Sequence, residues 1–216
     1  MPRTRTAIAA IVALTGAAQA GYVINVDTDP GAGFALNPQV TFGGDTTTAS
    51  QSVAQSGAFG ASGGHLFGGN GALEPDTYVF TYSPDAQADN LVIPQGTDLG
   101  NGVLASGLAG GDNGAYSVYA TWPFTTNVSG GLVNFTVETG IDSFQVSLDQ
   151  NNTGDIWVFL GNIDYDGGAI TVTQSASSNT FVSMRSAGVL FELVPTPGTA
   201  SLLLVAGIGA RRRRSA

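Results

Sequence analysis

Residues 114–122 read Gly-Ala-Tyr-Ser-Val-Tyr-Ala-Thr-Trp, and this stretch decides the fold class. Successive side chains of a β-strand point to opposite faces. Tyr116, Val118, Ala120 and Trp122 therefore share one face, and Tyr119 lies on the other. The same period of two returns at 132–138, where Val133, Phe135 and Val137 align, and again in Phe144, Val146 and Leu148. Each run is closed by turn-forming residues: Gly110-Gly111-Asp112-Asn113-Gly114 before the first, Asp149-Gln150-Asn151-Asn152-Thr153-Gly154 after the third. Alternation bounded by Gly, Asn and Asp is the mark of half-buried strands joined by short turns.

Working outward, further strands are expected at Tyr22–Val26, Val40–Phe42, Thr77–Tyr82, Leu91–Ile93 (cut by Pro94), Ala169–Thr173, Phe181–Met184 and Val189–Leu193. Ile156–Leu160 is almost continuously apolar and reads as a buried strand. Gly43–Gly71 is rich in Gly, Ser, Thr and Ala with little periodicity, and reads as long surface loops around weak strands. About ten short strands with no helical period give an all-β fold, an antiparallel jelly-roll-like β-sandwich. No repeat of fixed length is visible, which weighs against a propeller or solenoid.

The two ends read as addresses. Arg3 and Arg5 precede an apolar run from Ala7 to Ala18, and Ala18-Gln19-Ala20 supplies an A-x-A cleavage site before Gly21. Residues 1–20 are thus expected to be a secretory signal helix, cut between Ala20 and Gly21. At the other end, 195–216 holds Pro195-Thr196-Pro197, an apolar run from Ala200 to Ala210 expected as a short hydrophobic helix, and Arg211, Arg212, Arg213 and Arg214. Apolar segments bounded by arginine lie in membranes with the basic end in the cytoplasm, so transient inner-membrane anchoring is expected. A buried C-terminal helix is the competing reading, because eleven apolar residues are short for a span of about 20. Between the two signals, Gly21 to Val194 is one domain, ample for a packed core.

All seven basic residues are arginine, and only Arg185 lies between the signals. One cation against sixteen carboxylates leaves 21–194 with a net charge of −15. Such a body repels phosphate backbones, so nucleic acid is excluded as a partner. There is no cysteine, which removes thiol catalysis and thiolate metal sites. His65 is the sole histidine, which excludes multi-histidine metal centres.

The tail resembles the PEP-CTERM sorting signal of Gram-negative envelope proteins: a Pro-Glu-Pro-like motif, a short hydrophobic helix and a terminal arginine cluster. Here Thr196 stands where that family usually has Glu. The resemblance implies processing by an exosortase-type transpeptidase, export to the cell surface, outer envelope or extracellular space, and association with exopolysaccharide or biofilm matrix. From Gly114 to Val194 the body resembles the golvesin/xanthan-lyase carbohydrate-binding-like domain. Gly114, Tyr116, Val118, Tyr119, Trp122 and Pro123 match its first motif, and Leu148, Asp149, Gln150, Trp157, Leu160 and Gly161 its second. The closing strand departs: Ser186-Ala187-Gly188-Val189-Leu190-Phe191 lacks the family's Asp and Arg. This resemblance implies a non-catalytic jelly-roll-like sandwich found with secreted or polysaccharide-active proteins.

Candidate site residues follow. Tyr119, Trp122 and Trp157 are candidates for sugar stacking, because flat apolar rings suit pyranose faces. Alternation puts Trp122 in the core, and Tyr119 is the better-exposed candidate. Asp149, Asn151 and Asp155 place oxygens at alternate positions with Gly154 sixth, as in the opening of a calcium loop. Leu160 stands where such a loop needs its bidentate Glu, and a polar hairpin is the competing reading. Asp27-Thr28-Asp29 and Asp164-Tyr165-Asp166-Gly167-Gly168 read the same way. No other cofactor is expected. The function expected is a non-enzymatic, secreted envelope or matrix module associated with carbohydrate. The alternatives are a purely structural matrix protein without a specific ligand, and a secreted hydrolase using His65 and a carboxylate.

Overall fold

The structure, a computed structural model, describes residues 21–28, 35–43, 50–53, 64–68, 77–82, 91–93, 96–100, 103–105, 113–124, 132–176 and 184–194. The expected leader, the tail with Pro195, Thr196, Pro197 and Arg211 to Arg214, and both expected terminal helices lie outside these residues.

Two five-stranded antiparallel sheets form a β-sandwich. The strands in chain order are β1 (Gly21–Asn25), β2 (Val40–Gly43), β3 (Ser50–Val53), β4 (Gly64–Gly68), β5 (Thr77–Tyr82), β6 (Leu91–Ile93), β7 (Asp98–Gly100) and β8 (Val103–Leu104). They continue with β9 (Gly114–Thr121), β10 (Val133–Glu138), β11 (Ser143–Leu148), β12 (Val158–Tyr165), β13 (Ile170–Ala176), β14 (Met184–Ser186) and β15 (Gly188–Leu193). The first sheet runs β12-β9-β15-β1-β6 and the second β11-β10-β13-β5-β2. β14-β4-β3 and the β7-β8 ribbon are smaller accessory sheets.

The expected alternation is borne out. Tyr116, Val118, Ala120 and Trp122 enter the inter-sheet core with Ile24, Phe80, Phe135, Ile163 and Phe191. Facing them, Val133, Phe135 and Val137 are buried from the second sheet, while Phe144, Val146 and Leu148 on its edge strand are only half-covered. At the centre Tyr82 meets four rings at once, with centroids 4.5 Å from Tyr22, 5.2 Å from Phe191, 6.0 Å from Tyr165 and 6.1 Å from Tyr116. Edge-to-face and tilted aromatic pairs at these separations add about 0.5–1.5 kcal/mol each beyond their area burial.

The weak strands expected in 43–71 occur as β3 and β4. Two differences from the expectations bear on the site. Asp98–Gly100 and Val103–Leu104, given no strands from sequence, pair as the β7-β8 ribbon. The buried strand expected at Ile156–Leu160 begins only at Val158 and continues to Tyr165, because Asp155 sits at φ 55° in the preceding turn.

Within β12 the register against β9 shifts between Phe159 and Gly161. An extra residue of this kind is a bulge, which re-aims the side chains that follow. Val158 and Leu160 face the core before it, and Ile163 and Tyr165 face the core after it. Phe159, Asn162 and Asp164 are thereby left on the outer face. Gly161 leaves room for the second sheet here: a Cβ would lie 2.7 Å from the tip of the Phe144 ring and would have to displace it.

Candidate functional site

The outer face of the first sheet carries a second, smaller core of Val23, Leu99, Ala105, Tyr119, Trp157 and Leu190. The β7-β8 ribbon supplies Leu99, and Ala105 follows it directly. Trp157 N–H donates to Leu99 O at 3.0 Å, tying the approach to β12 onto the ribbon. The Trp157 ring lies over Gly188, where a Cβ would come within 3.5 Å of it.

This arrangement corrects the expected exposure of Tyr119. Its side chain does point away from Trp122, but only 7 % of the residue is accessible, because the small outer core surrounds it. Burial raises its phenol pKa, the nearby Glu192 carboxylate raises it further, and the Ser117 hydroxyl acts in the opposite sense. Trp122 is in the inter-sheet core as expected. Its ring stacks on Phe135 at 5.9 Å and 26°, and its Nε1–H donates to Thr153 O at 3.1 Å. Trp157 is 2 % accessible. None of the three indole and phenol rings presents an open face.

The open ring is Phe159, 49 % accessible, packed on Tyr119 with centroids 5.3 Å apart at 57°. Phe159 lies in the almost uniformly apolar run 156–160, where only parity singles it out in the sequence: it is two positions from Trp157 and so shares its face. Next along the same edge, Asn162 pairs with Ser117 in the register of β12 on β9. Ser117 Oγ donates to Asn162 Oδ1 at 2.9 Å, which fixes the amide and leaves its two N–H donors for other acceptors. Asp164 follows, exposed, opposite Ala115. Phe159, Asn162–Ser117 and Asp164 thus form a strip down the outer edge of the first sheet, with Tyr119 as the buried support of its aromatic end. A ring, a fixed amide and a hydroxyl in line can take an apolar sugar face and the hydroxyls beside it. Phe124 is a second exposed ring, at 51 %, at the end of the sandwich.

The other candidates are placed as follows. Asp149 Oδ1 accepts from Asn151 N at 2.9 Å and Asn151 Nδ2 at 2.7 Å. Asp155 Oδ1 accepts from Phe124 N at 3.3 Å, and Asp155 N donates to Trp122 O at 2.8 Å. Gln150 Nε2 donates to Arg185 O and Gln150 Oε1 accepts from Arg185 N, both at 2.9 Å. The loop therefore uses these groups to hold its own turn and to pin neighbouring backbone. Among the described residues no three His, Asp or Glu side chains are grouped to hold a metal ion. Asp27 Oδ1 accepts from Ala35 N at 2.9 Å. In the Asp164–Gly168 stretch, Asp164 and Tyr165 belong to β12, and the hairpin turn falls at Asp166–Ala169. His65 lies in β4 opposite Ser52 of β3, and its side chain is outside the described residues.

No protein-family model matches the sequence, and no curated protein is similar to it in sequence. Among solved structures, a Paenibacillus xanthan lyase is similar over 82 % of this chain, with a TM-score of 0.52 and 18 % identity. The chain spans only 13 % of that lyase's length. A CBM35 module from Cellvibrio japonicus Abf62 aligns over 82 % of this chain and 91 % of its own, at a TM-score of 0.35 and 13 % identity. At this identity the first likeness is one of β-sandwich fold.

Proposed function

We propose that this protein is a non-catalytic carbohydrate-binding module of the envelope or extracellular matrix, and that its glycan lies along the strip from Phe159 to Asp164. The observation that carries the proposal is the open Phe159 ring, backed by Tyr119 at 5.3 Å and continued by the bonded Ser117–Asn162 pair. Ligand sites combine apolar and aromatic surface with a few placed polar groups that fix orientation. Phe159 supplies the first, and the strand register supplies the second at a spacing of about 3.3 Å per residue. That a xanthan lyase contains a part of this fold accords with a carbohydrate setting. The leader at 1–20 and the tail at 195–216 support export, exosortase-type sorting and exopolysaccharide as the partner.

Affinity electrophoresis through gels containing polysaccharides tests this reading. Wild-type protein is expected to be retarded by at least one glycan, and Phe159→Ala to lose that retardation while keeping a cooperative melt only modestly lowered by loss of the Tyr119 contact. Thr173→Ala, on the outer face of the second sheet, is expected to bind normally. Retardation unchanged in Phe159→Ala removes the strip from the account; no retardation by any glycan leaves a structural matrix protein.

A further inference from the structure

We infer that the ligand of this strip is an uncharged polysaccharide, and that the surface excludes polyanionic glycans. The inference rests on the carbohydrate reading above and adds the chemical class of the ligand. Outside the two terminal signals the chain has a single cation, Arg185, against sixteen carboxylates. Arg185 is itself only 5 % accessible and lies in β14, away from the strip's two strands. Among the described residues, therefore, hardly any cationic surface is offered to solvent. A polyuronate approaching this body meets a field of its own sign, and repulsion of that kind slows encounter and weakens binding at low salt.

The strip repeats this pattern at close range. Its polar end is Asp164, exposed, with Asp166 beyond it in the turn. Asp142 stands beside it, its Oδ2 accepting from Asp164 N at 3.0 Å. On the neighbouring strand Glu192, opposite Ser117 and 3 % accessible, is close enough to raise the Tyr119 phenol. Between these carboxylates the binding groups are neutral: a phenyl ring, an amide and a hydroxyl. Such groups exchange hydrogen bonds with sugar hydroxyls without counter-ion displacement, so ionic strength has little hold on the contact. The second sheet offers no cationic alternative. Its outward positions include Asn134, Thr136, Gln145, Ser147, Thr171 and Thr173, with Glu138 as their charged neighbour.

The test is affinity electrophoresis against a panel of neutral glucans, mannans and galactans and against polygalacturonate, at low and high salt, with and without EDTA. Wild-type protein is expected to be retarded by a neutral member, with a dissociation constant changing less than about twofold between the two salts, and unaffected by EDTA. Polygalacturonate is expected to leave it unretarded throughout. Wild-type retardation by polygalacturonate, directly or only without EDTA, overturns the inference while leaving the carbohydrate reading in place. Absence of retardation by every polymer overturns both.

Discussion

Gln150 stands in a polar loop by sequence, yet its side chain acts as a substitute strand. It is 3 % accessible, donates to Arg185 O and accepts from Arg185 N, both at 2.9 Å, closing a two-bond ring on that residue's backbone. The same carbonyl accepts from Gln174 Nε2 at 2.7 Å, so Gln150→Ala leaves the carbonyl one partner but takes the Gln150 acceptor from the buried N–H. Two net hydrogen bonds at about 1 kcal/mol each, plus up to about 2 kcal/mol for the deprived donor, give a loss of about 2–4 kcal/mol. For a domain of this size each kcal/mol moves Tm by about 2–4 °C, so thermal denaturation should show a drop of about 5–15 °C. Gln150→Glu sharpens the test. Its carboxylate still accepts from Arg185 N, but its second oxygen opposes Arg185 O, acceptor against acceptor, which raises the carboxyl's pKa in the folded state above its unfolded value. A raised folded pKa means stability that is present below the unfolded value, about 4.3, and is lost as pH rises through the folded one. The Glu variant should therefore lie closer to wild type in acid than at neutral pH. A Gln150→Ala melt within about 2 °C of wild type, or a Gln150→Glu deficit independent of pH, refutes this account of the loop.

Four further outcomes are expected. Gly154, at φ 139°, faces the Phe124 backbone so closely that a Cβ would lie 2.5 Å from Phe124 N; Gly154→Ala should cost more than about 2 kcal/mol in urea denaturation. Gly140→Ala, with nothing within 4 Å, should stay within about 0.5 kcal/mol of wild type. Burial and then neighbouring Tyr116 raise the Tyr82 phenol pKa, and burial raises that of Tyr119. Phenols raised in the folded state contribute stability below the unfolded value of about 10 and lose it above, so Tm measured against pH should fall steeply only beyond about 10. EDTA should leave Tm within about 1 °C, because the Asp149 and Asp155 carboxylates already hold Asn151 and Phe124; a larger fall would restore calcium to the 149–155 loop.

Alternation carried most of the sandwich, because both sheets bury one face and a period of two records that directly. Thr77–Tyr82 and Leu91–Ile93 coincide with β5 and β6, and the inward set of β9 is the one read from sequence. What alternation does not record is a second layer on the outer face. Tyr119 points outward as its parity requires, yet the β7-β8 ribbon and Trp157 bury it. Those ribbon strands are two and three residues long, too short to show a period. The bulge after Phe159 was hidden for a related reason: one inserted residue reverses the parity of all that follow, so no single alternation spans 157–165. The bulge thus hides the outward placement of Asn162 and Asp164, whereas Phe159, ahead of it, keeps the parity of Trp157.

The most direct measurement is a backbone amide NMR titration of the protein with a soluble neutral oligosaccharide that retards it in gels. The account requires the shifted amides to cluster in 115–119 and 158–164, on the two strands that carry Ser117, Tyr119, Phe159, Asn162 and Asp164. Shifts confined to the 149–155 loop and Phe124, or to the outer face of the second sheet, would contradict it.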